Sequence, residues 1–395
     1  MRIACFADTH IGYSPAGITK DPETGLNTRY LDGLKALEET VTQILEEDSK
    51  KKIALVLLPG DLFHSPTPDV RTVSHAIEQV SRLSREIPTI VTAGNHDSPS
   101  ELNLKIPATW VLNSIPGVRC VNDSIEQIEI LPGVMVTAIS HQAAFEYKND
   151  IPGFLKKVEP QNGLVNIFTG HGTSIDLLTG SRFIVANSPR EVEIPGDVIY
   201  NPDWNAVVLG HIHSRTTLKD DKSRFYCGSA FRRGFSDDKG KRGWSLLTMD
   251  DKTGKLESRK DFDITQRPQF DLPVIDASKE KDLGEAILKN LDGIEVQGAM
   301  IRQKVENVSP GQRAGLDPKI FKDATKTAIY KSLELNSKQE KVEDIKEEQP
   351  KNSLAVEGFS DWLKQRPEPQ ETQGMAKGYV SKAWEEKLSK LDTES

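Results

Sequence analysis

The chain has 395 residues, of which 36% are hydrophobic, so its length suits two domains diluted by a polar segment. A net charge of -8 argues against nonspecific attraction to polyanions but leaves room for a local basic groove. The three cysteines make neither an even framework nor a CxxC pair, and no apolar run is long enough to span a bilayer, so we expect a soluble, cytosolic protein.

The N-terminal part of the chain alternates between strands and helices. Strands are predicted at 3–7, 53–58 and 89–92, and helices at 28–50 and 69–86, the second helix with Asp69 as its N-cap. This order is typical of a parallel sheet covered by helices.

After a mixed segment at 98–114, short strands dominate the sequence. They are predicted at 118–121, 125–130, 134–139, 164–168 and 206–209, followed by hairpin-like runs at 215–219, 224–227, 244–249 and 256–263. The second half is therefore predicted to be more antiparallel than the first. Two packed sheets flanked by helices accommodate both halves.

The pattern changes near residue 266. From there to about 335 the order is strand, helix, strand, helix, which predicts a small second domain. Residues 331–352 are polar and are interpreted as a solvated helix extension or linker, with the linker proper at 336–352. Residues 353–395 carry aromatic and aliphatic residues at helical spacing, which indicates either a helical tail that binds a partner or one that folds back on its own domain.

Five apolar runs end in polar residues next to glycines or turns. They end in Asp8-Thr9-His10, Gly60-Asp61, Gly94-Asn95-His96-Asp97, Gly170-His171-Gly172 and Gly210-His211-Ile212-His213. Ligands bind at the carboxyl ends of strands in open α/β sheets, and glycine lets the backbone approach them closely. Imidazole, carboxylate and carboxamide groups without thiolate suit manganese, iron or zinc in a catalytic site. Their number predicts a pair of ions that share a carboxylate, an arrangement that catalyses phosphoester hydrolysis.

Each of these segments also has a simpler interpretation as a turn, a loop or a helix cap. Their occurrence in order at five strand ends favours a metal site. His141 ends another apolar run and is given no role, and His75 is expected to be structural.

The ordered motifs DxH, GD, GNH, GH and GHxH resemble those of the calcineurin-like metallophosphoesterases over about residues 1–265. This resemblance implies an α/β fold, a four-layer sandwich of two mixed β-sheets flanked by helices. The variants Gly60-Asp61-Leu62-Phe63-His64 and Gly94-Asn95-His96-Asp97, with Tyr226-Cys227-Gly228-Ser229 and the small second domain, look like the SbcD-type DNA repair nucleases of the meiotic recombination nuclease family. Cys227, where proline is common, and Gly172-Thr173-Ser174 depart from the usual pattern.

The resemblance assigns the metal ligands to two ions. It implies Asp8, His10 and His213 for one ion, Asn95, His171 and His211 for the other, and Asp61 as the bridge. Manganese is the family's usual metal, with Mg²⁺, Fe²⁺ or Zn²⁺ as alternatives. His96 would stabilise the transition state or protonate the leaving oxygen, Asp97 would orient the His96 ring, and His64 would lie near the substrate strand.

A basic cluster is the candidate for contacts with substrate phosphates. It comprises Arg232, Arg233, Lys239, Lys241 and Arg242. A charged, solvated hairpin is the alternative interpretation.

The resemblance also implies partners. The domain at 266–335 would cap the site and select duplex ends, and the tail would bind an SbcC-type coiled-coil ATPase. Helices at 69–86 and 98–114 would form a homodimer interface, unless their apolar residues are ordinary core. We therefore expect a manganese-dependent DNA exonuclease and endonuclease that acts on double-strand ends in repair, in the cytoplasm and associated with the nucleoid.

Two other classes of function remain. One is a phosphodiesterase or phosphatase with a non-DNA substrate, because loops around a two-metal site decide what it cleaves. The other is a scaffold protein with an inactive site, against which the complete ligand set argues.

Overall fold

The structure of the chain is a computed structural model that describes residues 1–99, 106–174, 191–237 and 240–337. Residues Met1–Ser337 form one compact unit. The predicted tail at 353–395, the linker from residue 338 onward and Lys239 of the basic cluster lie outside the described residues. Within the described residues, we find no helix with the length and apolar character needed to cross a bilayer.

The first sheet follows the predicted parallel order. Its strands are β1 (Arg2–Cys5), β2 (Leu55–Pro59), β3 (Thr89–Thr92), β4 (Val118–Val121), β13 (Gly243–Met249) and β14 (Leu256–Asp263). The sheet order is β14-β13-β1-β2-β3-β4, with β1 to β4 parallel and β13 and β14 antiparallel at one edge.

The second sheet lies against the first. Its strands are β5 (Ile125–Leu131), β6 (Val134–Ile139), β7 (Val165–His171), β10 (Ala206–Gly210), β11 (Thr216–Leu218) and β12 (Asp221–Tyr226). The sheet order is β11-β12-β10-β7-β6-β5. The prediction that the second half of the chain is more antiparallel than the first is confirmed, because β5, β11, β13 and β14 pair in antiparallel fashion. The parallel centre of the second sheet, formed by β6, β7, β10 and β12, was not predicted. The crossover helices are too short to show a clear period in the sequence.

Helices cover the outer faces of both sheets. They are α1 (Thr28–Lys50), α2 (Val70–Ser84), α3 (His141–Glu146), α4 (Ile151–Lys157) and α5 (Gly196–Ile199), with a 3₁₀ helix at Ala108–Ser114. Asp69 is the predicted N-cap of α2, since its side chain accepts from the backbone N–H groups of Arg71 and Thr72. A short parallel pair, β8 (Thr173–Ser174) and β9 (Glu193–Ile194), lies apart from the two sheets.

Alternate residues of the central strands pack into different cores. Val56 and Leu58 face α1 and α2, whereas Leu55 and Leu57 join Val136 and Val208 of the second sheet in a core between the sheets. A third core lies between the second sheet and α3, α4 and α5. The predicted four-layer sandwich of two mixed sheets flanked by helices is therefore confirmed.

A third sheet follows residue 268 and has its own core. It contains β15 (Gln269–Asp271), β16 (Ile275–Asp276), β17 (Met300–Val308) and β18 (Tyr330–Ser337), with helices α6 (Leu283–Leu291), α7 (Pro310–Gly315) and α8 (Lys319–Ala324) and a 3₁₀ turn at Ala277–Lys279. The interpretation of 331–337 as a helix extension or linker is wrong, because these residues belong to β18, which pairs with β17 in parallel. The polar residues of β18 leave the strand partly exposed, which made it look like a linker.

Candidate metal centre

The structure brings the seven predicted ligands together at the carboxyl ends of five strands. Asp8 and His10 follow β1, Asp61 follows β2, Asn95 follows β3, His171 ends β7, and His211 and His213 follow β10. Since β1, β2 and β3 are parallel in one sheet and β7 and β10 in the other, their ends meet at one edge of the sandwich.

The backbone at this edge adopts a conformation that residues other than glycine rarely take. The φ angles are positive at Asp8 (51°), His10 (42°), Asp61 (52°) and His211 (98°). Such residues cost free energy and persist where the surroundings enforce them, which happens most often at functional sites. The unusual backbone therefore supports a functional interpretation of these four positions.

Two glycines are required by the close approach of the loops. A Cβ atom on Gly60 would lie 2.2 Å from His171 Nδ1, and a Cβ on Gly94 would lie 2.2 Å from Asp61 Oδ1. These distances are far below van der Waals contact, so no side chain fits at either position. The glycines beside the polar residues therefore allow Asp61 and His171 to meet.

Asp61 occupies the middle of the site and is 2% exposed. Its Oδ2 lies 3.4 Å from His10 Nε2 and 3.4 Å from His171 Nε2. Its Oδ1 accepts a hydrogen bond of 2.8 Å from the backbone N–H of His96. The carboxylate thus contacts one predicted ligand from each of the two groups, His10 from the group Asp8, His10 and His213, and His171 from the group Asn95, His171 and His211.

The remaining predicted ligands fall into the same two groups. On one side, His10 Nε2 and His213 Nε2 are 3.1 Å apart, and Asp8 Oδ1 lies 4.0 Å from His10 Nε2. On the other side, Asn95 Oδ1 lies 2.9 Å from His171 Nε2 and 3.3 Å from His211 Nδ1. Asp8 links the groups, because both its oxygens accept from the backbone N–H of His211.

The electrostatics of the site favour a bound cation. Burial and the nearby Arg233 charge hold the pKa of His10 well below its usual value, which leaves a neutral ring with a lone pair. Burial opposes the charge on His171, but the carboxylates of Asp61 and Asp8 outweigh it and raise the pKa of that ring to about 10. Burial also opposes the Asp61 charge, yet His171 and His10 hold its pKa well below the usual range. Convergent nitrogen and carboxylate ligands without thiolate fit divalent metal ions.

Two carboxylates behind the histidines were missed by the sequence analysis. Glu191 Oε1 lies 2.9 Å from His211 Nε2, and Asp237 Oδ1 lies 3.2 Å from His213 Nδ1. A carboxylate that accepts a hydrogen bond from the N–H of the ring nitrogen not bound to metal fixes the tautomer and orientation of a metal-binding histidine. Neither residue follows an apolar run, so the signal that found the other residues could not find these.

His96 and His64 lie beside the predicted ligands. The His96 ring is 4.7 Å from the His10 ring and stacks on His64 at 5.1 Å. Its Nδ1 lies 2.9 Å from the carbonyl oxygen of His64, which orients the ring. Burial and the charge of His96 lower the pKa of His64 to about 4.

Asp97 does not orient the His96 ring as predicted. Its two carboxylate oxygens accept from the backbone N–H groups of Phe63, at 2.8 Å, and Gly94, at 2.9 Å. Burial and the charge of Asp61 raise the pKa of Asp97 to about 7. Asp97 therefore joins the loops after β2 and β3, and the carbonyl group of His64 takes the role expected of its carboxylate.

The basic cluster does not form one exposed patch. Arg242 is 2% exposed and donates to the carbonyl oxygen of His213, and Arg232 is 9% exposed. Lys241 is exposed and pairs with Asp263. Arg233 reaches the ring of a predicted ligand, with its Nη2 3.3 Å from His213 Nδ1.

His141, which was given no role, begins α3 behind the site. Its ring centroid lies 6.4 Å from that of His171, and its backbone N–H donates to the carbonyl oxygen of Ala93. These contacts hold α3 against the loop after β3.

Comparison with known proteins agrees with this geometry. Residues 1–215 match the calcineurin-like phosphoesterase family, and this match spans more than half of the chain. The chain belongs to the calcineurin-like phosphoesterase family. As a member of that family it is a metal-dependent hydrolase.

One curated relative is the SbcD subunit of the SbcCD nuclease of Staphylococcus epidermidis (strain ATCC 12228 / FDA PCI 1200). The two sequences are 24% identical over 306 residues, which cover 73% of this chain and 75% of the relative. The resemblance to SbcD-type proteins within the calcineurin-like phosphoesterases is therefore confirmed.

Solved structures give a more distant likeness. A putative 5'-nucleotidase from Staphylococcus aureus is 16% identical, with a TM-score of 0.38, over 66% of this chain. The match spans about half of the nucleotidase, 53% of its length. A dimetal phosphatase from Danio rerio is 12% identical, with a TM-score of 0.37, over 62% of this chain and 92% of its own. The family assignment rests on the sequence match rather than on these structures.

Proposed function

We propose that the chain is a manganese-dependent DNA nuclease that hydrolyses phosphodiester bonds with two metal ions. The observation that carries the proposal is the position of Asp61, whose Oδ2 lies 3.4 Å from both His10 and His171. Asp8, His10 and His213 would hold one ion and Asn95, His171 and His211 the other, with Asp61 as the bridge. Two bound ions stabilise the attacking and leaving oxygens of a phosphoester.

The protein's own side chains would position the phosphate and the proton. His96 is fixed from two sides, because its backbone N–H donates to Asp61 and its Nδ1 meets the carbonyl oxygen of His64. With Nδ1–H directed at that carbonyl, Nε2 is left for the substrate. A protonated His96 would donate from Nε2 to the leaving oxygen, and His64, stacked on its ring, would contact the neighbouring phosphate.

Arg233 is the basic residue best placed to bind the substrate backbone. Its guanidinium group lies 6.0 Å from the Tyr13 ring centroid and next to His213. Phosphate contacts of this kind position DNA without reading its sequence. We assign Arg232 and Arg242 to support of the loop instead, because both are buried.

DNA is the proposed substrate because of the similarity to the SbcD subunit of an SbcCD nuclease and the variants Gly60–His64 and Gly94–Asp97 of the family motifs. The domain that starts at 266 and ends with β18 at Ser337 would cap the site and select duplex ends. The tail at 353–395 would bind an SbcC-type ATPase. The protein would act in the cytoplasm, associated with the nucleoid.

A homodimer through α2 and the 3₁₀ helix is part of the proposal. Val70, Ile106 and Trp110, in or beside these helices, have exposed fractions of 85%, 62% and 46%. Exposed apolar side chains on neighbouring elements are typical of an interface.

The proposal is tested by incubating the purified chain, with and without a coexpressed ATPase, with linear duplex DNA and Mn²⁺. We expect nucleotide release that stops on chelation. Bis-p-nitrophenyl phosphate serves as a small phosphodiester in parallel. Turnover of the small diester without cleavage of DNA would overturn the nuclease assignment in favour of a phosphodiesterase with another substrate. Better activity with Zn²⁺ than with Mn²⁺ would overturn the choice of metal.

A further inference from the structure

The segment Arg232–Asp237 connects the metal centre to the third sheet. Its last residue, Asp237, supports His213: the carboxylate is 9% exposed, and its Oδ1 lies 3.2 Å from His213 Nδ1. Its Oδ2 accepts a 2.8 Å hydrogen bond from the backbone N–H of Arg233. Both oxygens of this carboxylate are thus engaged, so the position of the segment determines the orientation of the His213 ring.

The middle of the segment packs on the third sheet through Phe235. The Phe235 ring lies 6.0 Å from the ring of Tyr330, the first residue of β18. The guanidinium carbon of Arg302, on β17, lies 4.7 Å from the centre of the same ring. Arg302 is fixed by two hydrogen bonds of 2.8 and 2.7 Å to Asp271 of β15. Phe235 therefore contacts two strands of that sheet.

The start of the segment is attached at the junction before the third sheet. The backbone N–H of Arg232 donates to Gln266 Oε1 at 3.0 Å, and its carbonyl oxygen accepts from Gln269 Nε2 at 2.9 Å. The segment is thus held at both Arg232 and Phe235 by residues 266–330. A shift of this region would move Asp237, two residues beyond Phe235.

The other group of ligands has separate support. His211 is oriented by Glu191, which precedes β9, and His171 by the carbonyl oxygen of Pro59 at 3.0 Å from its Nδ1. Neither contact involves the segment Arg232–Asp237. The two groups of ligands are therefore supported through different parts of the fold.

We propose that the third sheet controls the affinity of one of the two ions, the ion held by Asp8, His10 and His213, through Phe235 and Asp237. The inference rests on the ligand sets of the proposed function. Coupling through a packed, hydrogen-bonded segment is reciprocal, so binding of that ion also strengthens the contact between the segment and the third sheet. A substrate or partner that moves the third sheet would load or release one ion without touching the other.

The test measures Mn²⁺ binding by the full-length chain and by the variant Phe235→Ala in two backgrounds. Asn95→Ala removes a proposed ligand of the ion held with His171 and His211. His213→Ala removes a proposed ligand of the ion held with Asp8 and His10. In the Asn95→Ala background, we expect Phe235→Ala to weaken binding of the remaining ion by about 10-fold, in the range seen when support behind a ligand is lost. In the His213→Ala background, we expect the affinity to stay within about 2-fold.

Two matched variants separate the effect from a loss of packing. Phe145→Ala removes another half-buried ring with a cation over its face, that of Lys148 at 4.0 Å, but on α3 rather than in the segment, and should change the affinity for neither ion. Glu191→Leu should show the reverse pattern to Phe235→Ala, weakening the ion that remains in the His213→Ala background. Equal losses for Phe235→Ala in both backgrounds, or no loss in either, would overturn the inference.

Hydrogen exchange on the unmodified chain gives a second measurement that needs no variant to fold. Saturation with Mn²⁺ should slow exchange in residues 232–237 and at the start of β18. Unchanged exchange in both stretches would contradict the coupling. A wild-type chain that binds no pair of ions would instead refute the proposed function, so the two failures are distinguishable.

Discussion

The Oδ2 atom of Asp61 lies 3.4 Å from Nε2 of His171, and the other predicted group of ligands is reached from the same oxygen through His10. Replacement of Asp61 should therefore weaken both ions together. We expect Asp61→Ala to lower the affinity for each ion by more than about 100-fold, because a shared ligand is lost rather than its support. Mn²⁺ titration followed by electron paramagnetic resonance would measure both ions.

Asp69→Asn is the matched control for this change. Asp69 caps α2 through its side-chain oxygen, and asparagine caps helices equally well. This variant should bind two ions like the wild type. Loss of a single ion in Asp61→Ala would show that Asp61 is not the bridge.

Replacement of His96 should separate catalysis from metal binding. Its ring lies 4.7 Å from that of the predicted ligand His10, and its Nδ1 is directed at the carbonyl oxygen of His64. His96→Ser should slow DNA cleavage by about 10²- to 10⁴-fold, the usual contribution of an acid-base or charge-stabilising group, with two ions still bound. Parallel measurements of cleavage rate and metal content test this.

His75→Gln provides the comparison for His96→Ser. His75 lies in α2 with its Nε2 2.9 Å from the carbonyl oxygen of Leu34, so its loss affects local packing alone. Cleavage by this variant should stay near the wild-type rate. An ion missing from His96→Ser would reassign His96 as a ligand.

Gly94 should tolerate no side chain. A Cβ atom there would lie 2.2 Å from Asp61 Oδ1 and 2.5 Å from the Asp61 backbone nitrogen, so the loop would have to move. We expect Gly94→Ala to lower the free energy of unfolding by about 1–3 kcal/mol, as overpacking does, and to abolish binding of the ion pair. Thermal unfolding and Mn²⁺ titration measure these two effects.

Gly311→Ala is the control for Gly94→Ala. Gly311 lies in α7 with open space at its Cβ position, and alanine favours the helix by about 0.5–1 kcal/mol. Wild-type metal binding in Gly94→Ala would mean that the loop after β3 adapts, and that the close approach to Asp61 is not required.

The sequence predicted the part of the site that follows strands. Asp8, Asp61, Asn95 and His171 each follow or end an apolar run, and a parallel sheet brings such ends together. Their positions in the sequence were therefore sufficient to predict that they lie in one site. Asp237 and Glu191 could not be found in this way, because they come from irregular segments whose approach to the histidines depends on tertiary contacts.

The wrong predictions for β18 and for Asp97 have a similar cause. Strand β18 is polar and partly exposed, so its alternation was too weak to distinguish it from a linker. Asp97 was paired with the neighbouring His96 by sequence proximity, whereas its side chain hydrogen-bonds to the backbone of Phe63, 34 residues earlier. Local spacing does not reveal which of several buried donors a carboxylate will meet.

Truncation tests the proposed role of the tail, and the end of β18 gives the boundary. β18 runs to Ser337 and pairs with β17 as far as that residue, so a chain ending at Leu335 would lose part of the sheet. A chain ending at Ser337 retains every described contact of the metal centre. Without the ATPase, this shortened chain should cleave linear duplex DNA in the presence of manganese at the same rate as the wild type. It should no longer capture a coexpressed SbcC-type ATPase. Capture undiminished by the truncation would assign ATPase binding to residues 1–337, whereas loss of cleavage without the ATPase would place part of the active site beyond Ser337.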